Sequence, residues 1–178
     1  MLAFLAMRWL ALSSVVLSVA LSAMVGCGDD AATVDAILVN DASDEVFATL
    51  EDEEAQGGLM SDPTRAATIV APTTGTSLTK GTPPTFTWAL PASTRTPRHG
   101  VANGTFFWLQ FTGAGISDKV DVLAVGVMSW TPSADDWARI AVSPGNLSVR
   151  LVTAVVADAL VVEGPWEADA SPSYPVTE

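Results

Sequence analysis

An all-β domain, two sheets packed face to face from about seven short strands with one short helix, is predicted for the second part of this 178-residue chain. Three observations predict it. From about Arg65 onward, short β-rich runs alternate with Gly, Pro, Ser and Asp at regular intervals. Thr85 to Leu90 alternates cleanly, placing Phe86, Trp88 and Leu90 on one side. Charge also thins out at Arg65: residues 65–178 are close to neutral, whereas 28–64 carry acids and no lysine or arginine.

The strands follow in order. Ala67 to Ala71 is the first and Thr85 to Leu90 the second. Thr105 to Phe111 is apolar on both faces, as a central strand requires. Lys119 to Val127 starts as alternation and ends fully apolar. Leu147 to Val155 is rich in β-branched residues, and Ala159 to Val162 can pair with it across a turn at Asp158. Tyr174 and Val176 belong to the last strand. Ser133-Ala-Asp-Asp136 is a capping-box variant that opens a short helix with Trp137 and Ile140 on one face, placed to plug one end of the domain. Such a strand count in about 110 residues fits an immunoglobulin-like β-sandwich.

The stretch before it reads differently. Between Gly28 and Thr64 stand Asp29, Asp30, Asp35, Asp41, Asp44, Glu45, Glu51, Asp52, Glu53, Glu54 and Asp62, unrelieved by any cation. Such a segment buries too little to offset chain entropy, so residues 27–64 are expected to form a lipidated cysteine followed by a flexible acidic tether. Asp41 to Glu54 has the parts of a short helix: Asp41 or Ser43 as N-cap, Phe47 and Leu50 on one side, Gly57-Gly58 as the stop. A helix of that length is marginal alone, so a transient turn is expected in preference to a docking helix for a partner. Asn40 to Glu51 has the length of a calcium loop, but Ala42 and Glu45 occupy positions that need an oxygen and a glycine.

Residues 1–26 have the parts of a secretory signal: one positive charge at Arg8, an uncharged apolar run from Trp9 to Val25, and small residues at the exit. Met7-Arg8 makes a more usual start than Met1 to Ala6. The tetrapeptide Met24-Val25-Gly26-Cys27 resembles the lipobox of bacterial lipoproteins, in which a small residue precedes a cysteine that becomes the acylated N-terminus; it departs from the pattern at Met24, where an aliphatic such as leucine is usual. The resemblance implies acylation at Cys27, a membrane partner reached through several acyl chains, and residence in the cell envelope. Gly28 stands where an aspartate retains some lipoproteins in the inner membrane, so the outer membrane is the expected address. Cys27 is the sole cysteine, which excludes an intramolecular disulfide and a CxxC site.

A second resemblance covers most of residues 66–177. Ala71-Pro-Thr-Thr-Gly-Thr-Ser-Leu and Pro83-Pro84-Thr-Phe-Thr-Trp88 are similar to the opening of bacterial immunoglobulin-like or fibronectin type III-like domains. The Trp137 helix and Gly164-Pro165-Trp166 resemble cell-surface lipoproteins of predatory and soil-dwelling deltaproteobacteria. These are packing and turn residues, so the resemblance implies a fold and supplies no catalytic residue.

Candidate chemistry is sparse. His99 is the only histidine and sits in a loop with Arg95 and Arg98, whose charges disfavour its protonated form. That loop reads as a small basic patch suited to a phosphate or sugar acid, or as a solvated connection. Asp118 and Asp121 flank a strand start, and Asp135-Asp136 open the helix; turn formation and capping explain both pairs. Of the tryptophans beyond Cys27, Trp108 and Trp166 are the best candidates for exposure and for stacking on a sugar ring, but core packing or domain-edge cover is the expected role, since large aromatics dominate sandwich cores. The whole chain has a net charge of −12, with no basic stripe to displace counterions from phosphates, so nucleic acid is excluded as a partner. The expectation is a non-catalytic, cofactor-free interaction or structural module whose protein partner is unnamed, with a glycan-binding module as the alternative and an unrecognised enzyme as the least favoured reading.

Overall fold

The computed structural model describes residues 36–92 and 102–178. The expected lipidation site at Cys27 and the loop residues Arg95, Arg98 and His99 lie outside them. The folded unit runs from Val34 to Glu178. It is mostly β, with eleven strands and two helices among the described residues.

In chain order the elements are β1 (Ile37–Val39), α1 (Asp44–Ala55), β2 (Met60–Ser61), β3 (Thr68–Ala71), β4 (Leu78–Thr79), β5 (Phe86–Ala89), β6 (Gly104–Gly113), β7 (Val120–Val125), β8 (Ser129–Trp130), α2 (Ala134–Ile140), β9 (Gly145–Ala157), β10 (Leu160–Glu167) and β11 (Ser173–Thr177). All seven expected strands form. The four additional ones, β1, β2, β4 and β8, are two or three residues long, too short to carry a readable period. A large sheet runs β1-β7-β6-β9-β10-β2, with β11 against β9 and β4 against β11; β3, β5 and β8 form a second sheet. The central strands are antiparallel, with Trp108 opposite Leu123 on one side and Val152 on the other.

Strand alternation sends the side chains of the large sheet to two separate cores. Phe107, Leu109 and Phe111 of β6 join Val122, Leu147 and Val149 against the small sheet, where Phe86, Trp88 and Trp130 meet them. Phe86 sits among Phe111, Trp130, Trp137 and Tyr174 with ring centroids 5.2 to 6.4 Å away. Helix α2 is capped as its sequence requires: the Asp136 amide donates to the Ser133 hydroxyl at 3.1 Å, while Trp137 and Ile140 turn into this core.

The opposite face is apolar too. Phe106, Trp108, Leu123, Val125, Val152, Ala154 and Val156 are fully or nearly fully buried there, beneath Val46, Phe47 and Leu50 of α1. This corrects the tether expected over 27–64. From β1 onward that segment is built into the fold: β1 lies parallel to β7 at one edge of the large sheet, β2 lies parallel to β10 at the other, and α1 crosses the face between them. The helix has the N-cap and stop that its sequence offers. Ser43 accepts from the Val46 amide, and the Gly58 and Gly57 amides donate to the Glu53 and Glu54 carbonyls at 2.8 and 2.9 Å, with Gly57 in the left-handed conformation (φ 75°) that ends such helices. The acids were misleading because they line the edges of a helix whose third face is apolar, and that face finds the sheet.

Candidate functional site

The apolar contact between α1 and the large sheet gives way, at the C-terminal end of the helix, to a cluster of polar side chains. Phase decides its membership. Gln110 continues the row of Phe106 and Trp108 along β6, Asp121 that of Leu123 and Val125 on β7, and Arg150 that of Val152 and Ala154 on β9. Register then places Gln110 between Asp121 and Arg150. Lys119 enters from just before β7, Glu167 from the end of β10, and Glu51 and Glu54 from one side of α1.

Glu54 lies at the centre. It pairs with Arg150 Nη1, accepts from Gln110 Nε2 at 3.1 Å and stands 3.6 Å from Lys119 Nζ. Arg150 also donates through Nε to Glu167 at 2.6 Å and through Nη1 to Gln110 Oε1 at 3.0 Å. Lys119 reaches Asp121 at 3.3 Å and Glu51 at 3.5 Å, and lies 5.0 Å from the centroid of the Trp108 ring. Trp108 Nε1 donates to Asp121 Oδ1 at 2.7 Å.

Burial and charge oppose one another across this cluster. Burial raises the Asp121 pKa above the ordinary carboxylate value, although Trp108 and Lys119 both pull it down. Burial pulls Lys119 the other way, but Asp121, Glu54 and Glu51 together carry its pKa above the usual lysine value. Arg150 is likewise raised, with Glu167 and Glu54 outweighing its desolvation. The Lys119–Asp121 attraction is therefore real but smaller than the cost of burying the Asp121 carboxyl. Chemically the cluster is a set of mutually satisfied ion pairs, in which each donor and acceptor named is bound to another group of the protein.

Other candidates resolve as follows. Trp108 and Trp166 are 0% and 3% exposed, in keeping with the expected core packing and against their use as exposed stacking platforms. Phe47 of α1 meets the Trp108 ring edge-on at 5.5 Å, so the segment taken for a tether is what covers it. Trp166 lies within β10 beneath the Arg65 guanidinium, 5.2 Å from its ring centroid. Asp121 is no turn residue; it stands inside β7 and is 6% exposed. Asp136 stands in the first turn of its helix, where its carboxylate accepts from the hydroxyl of the N-cap Ser133 at 2.7 Å. A cavity of about 200 Å³ opens beside β3, lined by Ala67, Ile69, Leu151, Ala170 and Pro172 with Arg150 at its margin, and Arg150 is already engaged by Glu54 and Glu167. No group of three or more His, Cys, Asp or Glu among the described residues is arranged to hold a metal ion, and no helix among them is long and apolar enough to cross a membrane.

Gln110, Arg150, Glu54 and Glu167 escaped the sequence reading, although a signal was present. Gln110 is the one amide in the run Thr105 to Phe111, and Arg150 the one charge in Leu147 to Val155. A lone polar group in phase with buried neighbours needs a partner, which is reason to look for one. The chain matches no family model, no curated protein and no solved structure.

Proposed function

We propose that this chain is a cell-envelope lipoprotein, acylated at Cys27 and held at the outer membrane. On this reading it displays an immunoglobulin-like β-sandwich as a non-catalytic interaction or structural module. The observation that carries the non-catalytic reading is the state of the polar cluster at the C-terminal end of α1. Glu54, Gln110, Lys119, Asp121, Arg150 and Glu167 satisfy one another, leaving none of them poised for a substrate. The sandwich reading is supported by two sheets that share one aromatic core, with α1 as an additional layer outside it. The anchor reading rests on the signal-like segment and on Cys27 directly behind it. Since the described residues begin at Ala36, few residues separate Cys27 from the domain. The nine residues from Gly28 to Ala36 span at most about 30 Å when fully extended. The module would then be held close to the headgroups.

Cys27→Ser is expected to abolish incorporation of labelled palmitate and to move the protein from the membrane fraction to the soluble one. A substituted protein that still floats with membranes would show that the apolar N-terminal segment is itself the anchor.

A further inference from the structure

The segment from β1 to β2 covers the second apolar face of the large sheet, and what fixes it there is unusual for a helix. Within α1 stand Asp44, Glu45, Glu51, Asp52, Glu53 and Glu54, with no basic residue. Acids in the first turn suit the positive end of the helix dipole, but Glu51 to Glu54 crowd the negative end, where they oppose it. The last turn contains no cation to relieve them. Relief comes from outside the helix, from Lys119 before β7 and Arg150 on β9. Those two side chains are 29% and 32% exposed, so dissolved ions reach them.

The path of the chain matters equally. The segment enters at one edge of the sheet, crosses β7, β6, β9 and β10 and leaves at the other edge, at the N-terminal end of the folded unit. Five inter-strand steps make about 24 Å, and twelve helical residues give about 18 Å of it. Beyond β2 the chain turns at Asp62–Arg65, where the Thr64 amide donates to Asp62 and Arg65 pairs with the same carboxylate. Among the described residues, Ala42, Val46, Phe47 and Leu50 of this segment supply most of the apolar cover on this face.

We infer that residues 36–61 form a releasable strap, clasped at the C-terminal end of α1 by Lys119 and Arg150, whose opening exposes the face built from Phe106, Trp108, Leu123, Val125 and Val152. Release follows screening of the clasp. The apolar contacts of Val46, Phe47 and Leu50 favour return when the salt is removed.

Hydrogen exchange on the full-length chain tests this in low salt and in 1 M sodium chloride, where the Debye length falls to about 3 Å. Amides of α1 are expected to exchange together and to accelerate at least about tenfold with salt, while those of β6 and β9 change less than about twofold. Glu54→Gln, which keeps the side-chain shape, is expected to raise α1 exchange in low salt and to flatten its salt response. Lys119→Met should do the same. Uniform exchange of α1 with β6 and β9 under all conditions would overturn the inference, as would α1 exchange indifferent to salt. Should Glu54→Gln fail to fold, the salt series on the unsubstituted chain still decides.

Discussion

Asp121 shows how far one side chain departs from what its neighbours in sequence suggest. Beside Asp118 it reads as a turn aspartate, whereas the strand phase turns it beneath α1 against the Trp108 indole. Its carboxyl carries a raised pKa because burial outweighs its partners. A carboxyl raised on folding binds its proton in the native state before the unfolded chain does. Its contribution therefore improves as pH falls through the folded-state pKa, and levels off below the unfolded value of about 3.8. At neutral pH this single group disfavours the fold. Asp121→Asn, which still accepts from Trp108, is expected to be more resistant to urea than the unsubstituted protein at pH 7. The difference should vanish toward pH 4; a variant weaker at pH 7 would show that Lys119 depends on this one carboxylate. The core residues were more legible. Alternation placed Phe86 and Trp88 inward, and both are buried. Trp88→Ala is expected to cost about 3–5 kcal/mol in chemical denaturation.

At the scale of elements, α1 is where reading and structure part. Its cap, its apolar side and its stop could all be named from the residues, because each is a local property. What it docks against could not, because that surface is assembled from strands some 50 to 100 residues away. Yet the need for a cover was legible: Thr105 to Phe111 is apolar on both faces, and a two-layer sandwich buries only one. Two expectations follow. Phe47→Ala, which removes the ring packed on Trp108, should cost about 3–5 kcal/mol. Limited proteolysis at low ionic strength should spare residues 37–61 and cut ahead of Val34; early cleavage inside α1 would show that the helix does not hold its place.

At the scale of the whole molecule, the N-terminal segment has a second consequence, which concerns the borders of the large sheet instead of its face. β7 reads Val-Asp-Val-Leu-Ala-Val, every residue buried, and it is next to last in the strand order. Without β1 its backbone donors and acceptors would form an open template of strong β-formers, the kind of border on which chains add to one another. β1 and β2 take the outermost places on both sides and are only three and two residues long, so they offer little for a neighbour to extend. Where β2 stops, two register shifts and Glu163 interrupt the exposed stretch of β10. A fragment beginning at Arg65 loses both guards at once. It is expected to associate through strand addition, binding thioflavin T and sedimenting as growing oligomers, while the chain that keeps residues 34–64 stays monomeric under the same conditions. One helical crossing, tied down at both ends, thus decides whether this sheet ends in solvent or in another copy of itself.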